Sequence, residues 1–217
     1  MLTIHTFCFN AFQENTFVLF NSEKEAIIVD PGCYLKHEQA QLANFISENN
    51  LTPKLLLNTH CHLDHVFGNN FVSETYGLTA LFHQKEQAVI DRLPEGGARW
   101  GVPTEAYKGK VQYIQQDELI QFGKDAFKVL ETPGHSPGSV CFYHEAQDFL
   151  IGGDLIFKDG VGRTDLPGSN PIDLIKSIQT QIFPLPDTMT IYSGHGPATT
   201  WGREKKANPY ILHLLKD

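Results

Sequence analysis

The pattern of apolar and polar residues along the first part of the chain predicts short strands followed by a helix. Three stretches are rich in β-branched and aromatic residues and end in turn-forming residues, which is typical of strands: LTIHTFCF, NTFVLF and EAIIVDPG. The next segment, KHEQAQLANFISENN, places Leu42, Phe45 and Ile46 on one stripe and predicts an amphipathic helix. It leads into PKLLLNTH, whose apolar run predicts a short buried strand.

The rest of the chain continues this mixture of strands and helices. FGNNFVSETYG predicts a helix that ends at Gly77, and LTALFH predicts a strand. The segment LPEGGARWGVPTEAYKGK is rich in glycine and proline and predicts a loop. Three strands are expected in AFKVLETPGHSPGSVCFYHEAQDFLIGGD, and a helix with Pro171 near its first turn in NPIDLIKSIQTQIF. A last strand and a short helix are expected beyond it. Strands in runs at both ends favour two sheets covered by helices, an α/β (α+β) fold, over a doubly wound parallel sheet.

Composition and charge narrow the class of protein. The 217 residues contain no internal repeat or linker-like stretch, so we expect a single domain over residues 1–217. The net charge of −8 argues against an extended nucleic-acid interface. We find no signal-peptide pattern, no apolar run long enough to span a bilayer, and four scattered cysteines. We therefore expect a cytoplasmic protein, a monomer or a small homo-oligomer, that acts on a small molecule and not at a membrane.

The segment NTHCHLDHVFGN concentrates metal-binding residue types directly after an apolar strand. Its candidate ligands are His60, His62, Asp64 and His65. His60 and His62 are two residues apart, so their side chains face the same way on extended backbone. Cys61 then faces the opposite way and is expected to be a small buried residue instead of a ligand. This cluster of imidazoles and a carboxylate predicts one half of a metal site.

Three later positions supply the residue types that the other half of the site needs. His135 lies in the turn ETPGHSPGSV, Asp154 ends the apolar strand FLIGGD, and His195 lies in IYSGHGPA. Each follows a short apolar strand, and rigid scaffolds hold functional groups on loops of this kind. A turn histidine or a capping aspartate explains each position alone, but these explanations are poor for all three together.

Four histidines with two or three carboxylates exceed what one structural zinc needs and suit two divalent cations that share a bridging hydroxide. The ligands assigned to the first cation are all histidines: His60, His62 and His135. The second cation takes one carboxylate and two histidines: Asp64, His65 and His195. Asp154 is assigned to the position that bridges the two cations. Because the set contains no thiolate, it is open to zinc, iron or manganese, and we expect zinc.

This ordered set resembles the signature of the metallo-β-lactamase superfamily, HxHxDH followed downstream by His, Asp and His. Here the signature reads HCHLDH at residues 60–65, then His135, Asp154 and His195, and no position is missing. The resemblance covers nearly the whole chain. It implies a four-layered αβ/βα sandwich with the metals at one edge between the two sheets, and it implies Asp64 and Asp154 as the catalytic carboxylates.

Within the superfamily, the stretches TPGHSPGS, GGDLIF, GRTDLPGS and SGHGPATT resemble the glyoxalase II group, especially its short bacterial members. The resemblance implies hydrolysis of a thioester such as S-lactoylglutathione, in which the metal-bridging hydroxide attacks the carbonyl and the thiolate leaves. Full-length members add a helical C-terminal segment whose basic residues hold the glutathione carboxylates. Only a short stretch follows His195, so a different thioester or a lactone stays open as the substrate.

Other members of the superfamily supply the alternatives. GRTD, residues 162–165, resembles the corresponding stretch of the persulfide dioxygenases, which use one iron and whose arginine belongs to the thiol-substrate site. Arg163 is therefore a candidate for contact with a substrate anion, and a surface ion pair with Asp165 is the alternative. True lactamases usually differ within HxHxDH and often place a cysteine at the position of Asp154, so antibiotic hydrolysis is not expected.

Overall fold

The structure is a computed structural model that describes residues 1–214. Two six-stranded sheets organise this part of the chain. The first sheet lies in a unit that spans Met1–Tyr113, and the second lies in a unit that begins at Ile114. A two-stranded hairpin accompanies the second sheet. The expectation of two sheets is therefore confirmed.

The strands of the first sheet lie side by side in the order of the sequence. They are β1 (Thr3–Phe9), β2 (Glu14–Phe20), β3 (Glu25–Val29), β4 (Thr52–Leu57), β5 (Ala80–His83) and β6 (Val111–Ile114). The helices of this unit are α1 (Lys36–Glu48), α2 (Leu63–Val66), α3 (Asn69–Tyr76), α4 (Gln87–Ile90) and α5 (Leu93–Trp100). β1, β2 and β3 pair antiparallel, whereas β3, β4 and β5 pair parallel.

The parallel part of the first sheet determines where its functional loops begin. Val29 pairs with Leu57, and Leu57 pairs with Leu81, so β3, β4 and β5 end at the same edge. In sheets with parallel strands, ligands bind beyond the carboxyl ends of the strands. The residues that follow β3 and β4, Asp30 and Asn58, are the first residues of the loops at this edge.

Helix α1 shows the stripe that the sequence predicts. Leu42 and Ile46 are buried in the core of the first unit, and Phe45 packs against that core while it stays partly exposed. The helix begins where Glu38 accepts hydrogen bonds from the backbone N–H groups of Tyr34 and Leu35, both at 2.8 Å. A buried carboxylate thus satisfies backbone donors at the start of the helix.

The second sheet has the spatial order β14-β13-β10-β9-β8-β7. Its strands are β7 (Leu119–Phe122), β8 (Asp125–Glu131), β9 (Val140–His144), β10 (Phe149–Gly153), β13 (Thr190–Ser193) and β14 (Thr199–Thr200). The hairpin consists of β11 (Ile156–Phe157) and β12 (Gly160–Val161), and the helices are α6 (Pro171–Ser177), α7 (Trp201–Ala207) and α8 (Pro209–Leu214). The predicted strands and the helix with Pro171 in its first turn are confirmed, but the predicted single closing helix is two.

The segment predicted as one loop, residues 93–110, begins with helix α5, so that prediction is wrong for its first part. Pro94 lies in the first turn, where its missing N–H is not needed. Gly101 ends the helix in the left-handed region, at φ 70°. A Cβ on Gly97 would lie 2.5 Å from the carbonyl oxygen of Val102, so this glycine allows the chain to fold back on the helix. The glycines here mark turns and close packing.

Within residues 1–214, no helix has both the length and the apolar composition that a bilayer span requires.

Candidate metal centre

The loop after β4 brings together the four ligand candidates of the first unit. The ring centroid of His60 lies 4.8 Å from that of His62 and 4.1 Å from that of His65. His65 Nε2 lies 3.8 Å from Asp64 Oδ2. His62 is the last extended residue before α2, and the first turn of this helix carries Asp64 and His65 back towards His60. His60 and His65 are fully buried, whereas His62 and Asp64 are partly exposed.

One buried carboxylate, Asp30, orients two of these histidines. Its Oδ1 accepts the backbone N–H of Thr59 at 2.7 Å, and its Oδ2 accepts the Thr59 hydroxyl at 2.5 Å and His65 Nδ1–H at 3.1 Å. Because the single Thr59 hydroxyl proton goes to Asp30, Thr59 Oγ1 accepts from His60 Nδ1–H at 3.1 Å. Both imidazoles are therefore protonated at Nδ1 and present the Nε2 lone pair, the form that binds a metal ion.

A second buried carboxylate supports the backbone of the same loop. Glu86 Oε2 accepts the backbone N–H of Cys61 at 2.7 Å, between the two histidines His60 and His62. The Cys61 side chain is fully buried in the core of the first unit, and burial raises the pKa of its thiol well above the usual value. The prediction that Cys61 is a small buried residue is confirmed.

Glu14 places another buried acidic side chain next to the ligand loop. It is completely buried, and burial raises the pKa of its carboxyl well above the usual range, while attraction to His65 opposes that rise. A Cβ on Gly32 would overlap Glu14 Oε2 and the backbone oxygen of Asp64, so only glycine allows these groups to approach one another. The first unit therefore places two further carboxylates, Glu14 and Asp30, within electrostatic range of His65.

The second unit brings its three ligand candidates together through strand pairing. β10 and β13 are parallel, with Gly153 paired to Ser193, so Asp154 and the loop of His195 lie at the same edge. β9 is antiparallel to both β8 and β10. This arrangement places the β8–β9 connection, which contains His135, at that edge as well.

The distance from Asp154 to each histidine of this group fits a pair of ligands on one divalent cation. Asp154 Oδ2 lies 3.4 Å from His135 Nε2 and 3.5 Å from His195 Nε2. Two ligands bonded to one tetrahedral cation at 2.0–2.2 Å lie about 3.4 Å from each other. His135 Nδ1–H donates to the Arg163 carbonyl at 2.9 Å, which leaves His135 Nε2 as the metal-binding nitrogen. Neutral imidazoles around a carboxylate are the donor set that zinc, iron and manganese accept.

The side chain of Arg163 makes the surface ion pair that the sequence offered as the alternative. Its Nε and Nη2 donate to the two carboxylate oxygens of Asp165 at 2.6 and 2.7 Å, and its side chain is 54% exposed. The Arg163 backbone, however, holds His135 through the carbonyl hydrogen bond. The residue therefore supports a candidate ligand, and its guanidinium lies on the surface nearby.

Four residues of the first unit that matter for the site were missed by the sequence analysis: Glu14, Asp30, Thr59 and Glu86. Asp30 carries a usable signal, because it ends the apolar strand EAIIVD in the same way that Asp154 ends FLIGGD. Thr59 directly precedes His60 and has no distinctive pattern. Glu86 lies in the polar stretch HQKEQ, where nothing marks it as buried.

Comparison with protein families gives a match over most of the chain. Residues 9–195 match the family described as the metallo-beta-lactamase superfamily. The matched range includes all seven candidate ligands, from His60 to His195.

Three similar proteins cover nearly the full chain. The chain is 36% identical to the hydroxyacylglutathione hydrolase GloC of Haemophilus influenzae, over 93% of this chain and 94% of that protein. It is 35% identical to the crystal structure of the BLEG-1 B3 metallo-beta-lactamase, with a TM-score of 0.89 over 96% of this chain and 99% of that one. It is 31% identical to TTHA1623, whose crystal structure is in a di-iron-bound form, with a TM-score of 0.86 over 95% of this chain and 99% of that one.

Proposed function

This chain belongs to the metallo-β-lactamase superfamily, and on that premise we propose that it hydrolyses thioesters with two bound divalent cations. The superfamily assignment makes it a metal-dependent hydrolase. The observation that carries the proposal is the position of Asp154 between His135 and His195, at a distance from each that fits two ligands of a shared cation. The choice of a thioester rests on the likeness to GloC. We also propose that residues 1–217 form one functional domain, because the family match extends across both units.

We keep the ligand assignment as part of this proposal. The first cation takes three histidines: His60, His62 and His135. The second takes Asp64, His65 and His195, and Asp154 bridges the two. The di-iron-bound form of TTHA1623 supports a site for two cations. We propose zinc as the metal, with iron or manganese as alternatives that the same imidazole and carboxylate ligands accept.

The residues of the chain prepare the site in two ways, by orienting metal ligands and by accepting a proton. When bound, divalent cations provide ionised water near neutral pH and polarise the carbonyl of the substrate. Asp30 and Thr59 fix the orientation and tautomer of His60 and His65, so that these rings need not rearrange. We propose that Asp64 Oδ2, which is partly exposed beside His65, accepts the proton lost from water. The leaving thiolate needs no proton donor, because thiols ionise at a pKa of about 8.5.

The first test is hydrolysis of S-D-lactoylglutathione by metal-loaded protein. We expect a kcat/KM in the range of roughly 10⁴–10⁸ M⁻¹s⁻¹ that efficient enzymes reach. Dialysis against a chelator should abolish the activity, and zinc, iron or manganese should restore it. Absorbance of the thioester bond reports the rate, and elemental analysis reports cations per chain. A protein that holds two cations and hydrolyses neither this thioester nor simple acyl thioesters would contradict the proposal.

The same preparation separates the alternatives. Oxygen consumption with glutathione persulfide at one iron per chain would identify a persulfide dioxygenase. Opening of a β-lactam such as nitrocefin at a rate above that of thioesters would favour the activity that the name of BLEG-1 describes. A lactone hydrolysed faster than any thioester would favour a lactonase. Asp154 and the complete HxHxDH sequence are the reason for expecting slow β-lactam hydrolysis.

Arg163 stays a proposed contact for a substrate anion. The Arg163→Ala substitution keeps the carbonyl that holds His135, so metal content should not change. An exposed ion pair contributes roughly 0.2–1 kcal/mol, so we expect KM for an anionic thioester to rise up to about fivefold. KM for a neutral thioester should stay constant. In the control Lys206→Ala, which removes another exposed charge, KM should stay constant for the anionic and the neutral thioester alike. Equal effects on neutral and anionic substrates would exclude the contact.

Location and assembly also remain proposals. The four cysteines form no disulfide in the described residues, which is consistent with the reducing cytoplasm that we propose. We propose a monomer or a small homo-oligomer that acts on small molecules, without nucleic-acid or membrane partners, and sedimentation analysis would measure the oligomeric state.

A further inference from the structure

Four aromatic side chains of the first unit form a partly exposed patch, the aromatic wall: Phe12, Tyr34, Phe67 and Trp100. The ring centroid of Phe12 lies 6.2 Å from Trp100 and 6.4 Å from Phe67, and the rings of Tyr34 and Phe67 are 4.6 Å apart. Trp100 is 50% exposed, and the other three side chains are partly exposed. Contiguous exposed apolar surface of this kind commonly marks a binding site.

The wall is attached to the ligand loop on one side. Phe67 follows α2 and lies two residues after His65. The turn that carries Phe12 is fixed by Asn10, whose Nδ2 donates to the backbone oxygens of Gly32 at 3.0 Å and Asp64 at 3.1 Å. Asn10 Oδ1 in turn accepts the backbone N–H of Phe12 at 2.9 Å. The position of Phe12 is therefore coupled to the backbone of a proposed ligand.

The other side of the wall is also held in place by hydrogen bonds. The Tyr34 hydroxyl donates to the carbonyl of Pro103 at 3.0 Å, which joins the loop after β3 to the loop after α5. Val102 N–H donates to the carbonyl of Gly97 at 2.9 Å and folds that loop back on the helix. Trp100 thus lies at the end of a helix whose last turn is fixed. A surface that is already ordered loses little conformational entropy when it binds a ligand.

We propose that the aromatic wall binds an apolar, preferably aromatic, substituent of the thioester substrate. This inference rests on the proposed function and specifies its substrate class. Aromatic faces offer stacking and apolar contact, which a phenyl or alkyl group uses. They offer no positive charge, so they do not suit the carboxylates of glutathione. The connection through Asn10 and Phe67 places this subsite next to Asp64 and His65, where the reacting carbonyl would bind.

The kinetic test compares matched thioesters. One pair varies the acyl group, as S-acetyl- and S-phenylacetyl-N-acetylcysteamine, and the other varies the thiol, as the acetyl thioesters of ethanethiol and 2-phenylethanethiol. We expect the aromatic member of at least one pair to have a kcat/KM at least tenfold higher. In Trp100→Ala this ratio should fall at least fivefold, and Trp100→Phe should retain most of it. The control Tyr113→Ala removes another exposed aromatic side chain of the same unit and should leave both ratios unchanged.

A binding measurement separates this inference from the proposed function. Calorimetric titration of metal-loaded protein uses two thioethers that cannot be hydrolysed, S-phenethyl- and S-ethyl-N-acetylcysteamine. We expect at least fivefold tighter binding of the phenethyl probe, and loss of this preference in Trp100→Ala. If the preference is present but no thioester is hydrolysed, the proposed function fails and the wall remains a binding site. Thioester hydrolysis without any aromatic preference in rate or binding would overturn the proposal that the aromatic wall binds substrate. A dimer that is detected by sedimentation and that Trp100→Ala dissociates would also overturn it, because the wall would then be a dimer interface.

Discussion

Asp154→Ala is expected to remove bound metal and hydrolytic activity together. Asp154 Oδ2 lies within 3.5 Å of the Nε2 atoms of both His135 and His195. Without its charge, two neutral imidazoles lose the anion that would offset a divalent cation. We expect less than half of the wild-type metal content and a fall in kcat/KM of at least about 10³-fold, which corresponds to about 4 kcal/mol of barrier. Elemental analysis and thioester hydrolysis measure the two effects on the same preparation.

The controls separate loss of a ligand from loss of folding. Asp91→Ala removes an exposed carboxylate that accepts a hydrogen bond from Gln87. This substitution should leave metal content and rate unchanged. Asp154→Asn keeps the shape of the side chain but not its charge, and should lose metal while its circular dichroism spectrum stays that of the wild type. Full metal content and full rate in Asp154→Ala would show that this carboxylate does not bridge the cations.

The sequence points to candidate residues that the structure places at the edge of each sheet, although it missed Asp30. The reason is geometric, since a polar residue that follows an apolar strand must lie at the end of a sheet. In the second unit this rule found Asp154 and His195, which the parallel pairing of β10 and β13 then places side by side. The superfamily fold predicted from the HxHxDH set is confirmed by the family match and by the structural likeness to BLEG-1.

Features that depend on long-range contact were beyond the sequence. Glu86 accepts the backbone N–H of Cys61 only because the fold buries a residue from a polar segment. Helix α5 was missed because its glycines suggested a loop, whereas Gly97 is needed where Val102 approaches the helix. The aromatic wall joins residues from four separate segments, and no spacing along the chain connects Phe12 with Trp100. Hydrogen-bond partners and surface patches can be identified only from the folded structure, whereas residues at strand ends can be identified from the sequence.

Asp30→Asn is expected to weaken metal binding although Asp30 is not a proposed ligand. In the wild type, Asp30 Oδ2 accepts from both the Thr59 hydroxyl and His65 Nδ1–H. An amide group there turns its NH₂ either to both of these donors or, if it is flipped, to the backbone N–H of Thr59. In the first orientation, His65 must turn away or move its proton to Nε2, which blocks the nitrogen that binds the cation. In the flipped orientation, a neutral amide oxygen replaces the carboxylate as the acceptor and holds the ring more weakly. We expect metal affinity to fall roughly 10–100-fold, as is typical for partners that orient metal ligands. Unfolding of the metal-free protein should become easier by about 1–3 kcal/mol, the usual cost of an unsatisfied buried donor.

Asp30 has a positive φ of 48°, a conformation that asparagine also tolerates, so the substitution should not strain the backbone. A second aspartate with positive φ provides a matched control. Asp117 has a φ of 62° and an exposed carboxylate paired with Lys128, so Asp117→Asn makes the same chemical change without touching a histidine. Competition with a chelating dye measures the affinity, and denaturant unfolding of metal-free protein measures the stability. If Asp30→Asn lowered stability but left affinity unchanged, Asp30 would only support the fold. If metal affinity falls in Asp30→Asn and not in Asp117→Asn, the orientation of the His65 ring controls metal binding. The reason is that Asp30, which is not a proposed ligand, can influence the metal only through Thr59 and His65, to which it is hydrogen-bonded.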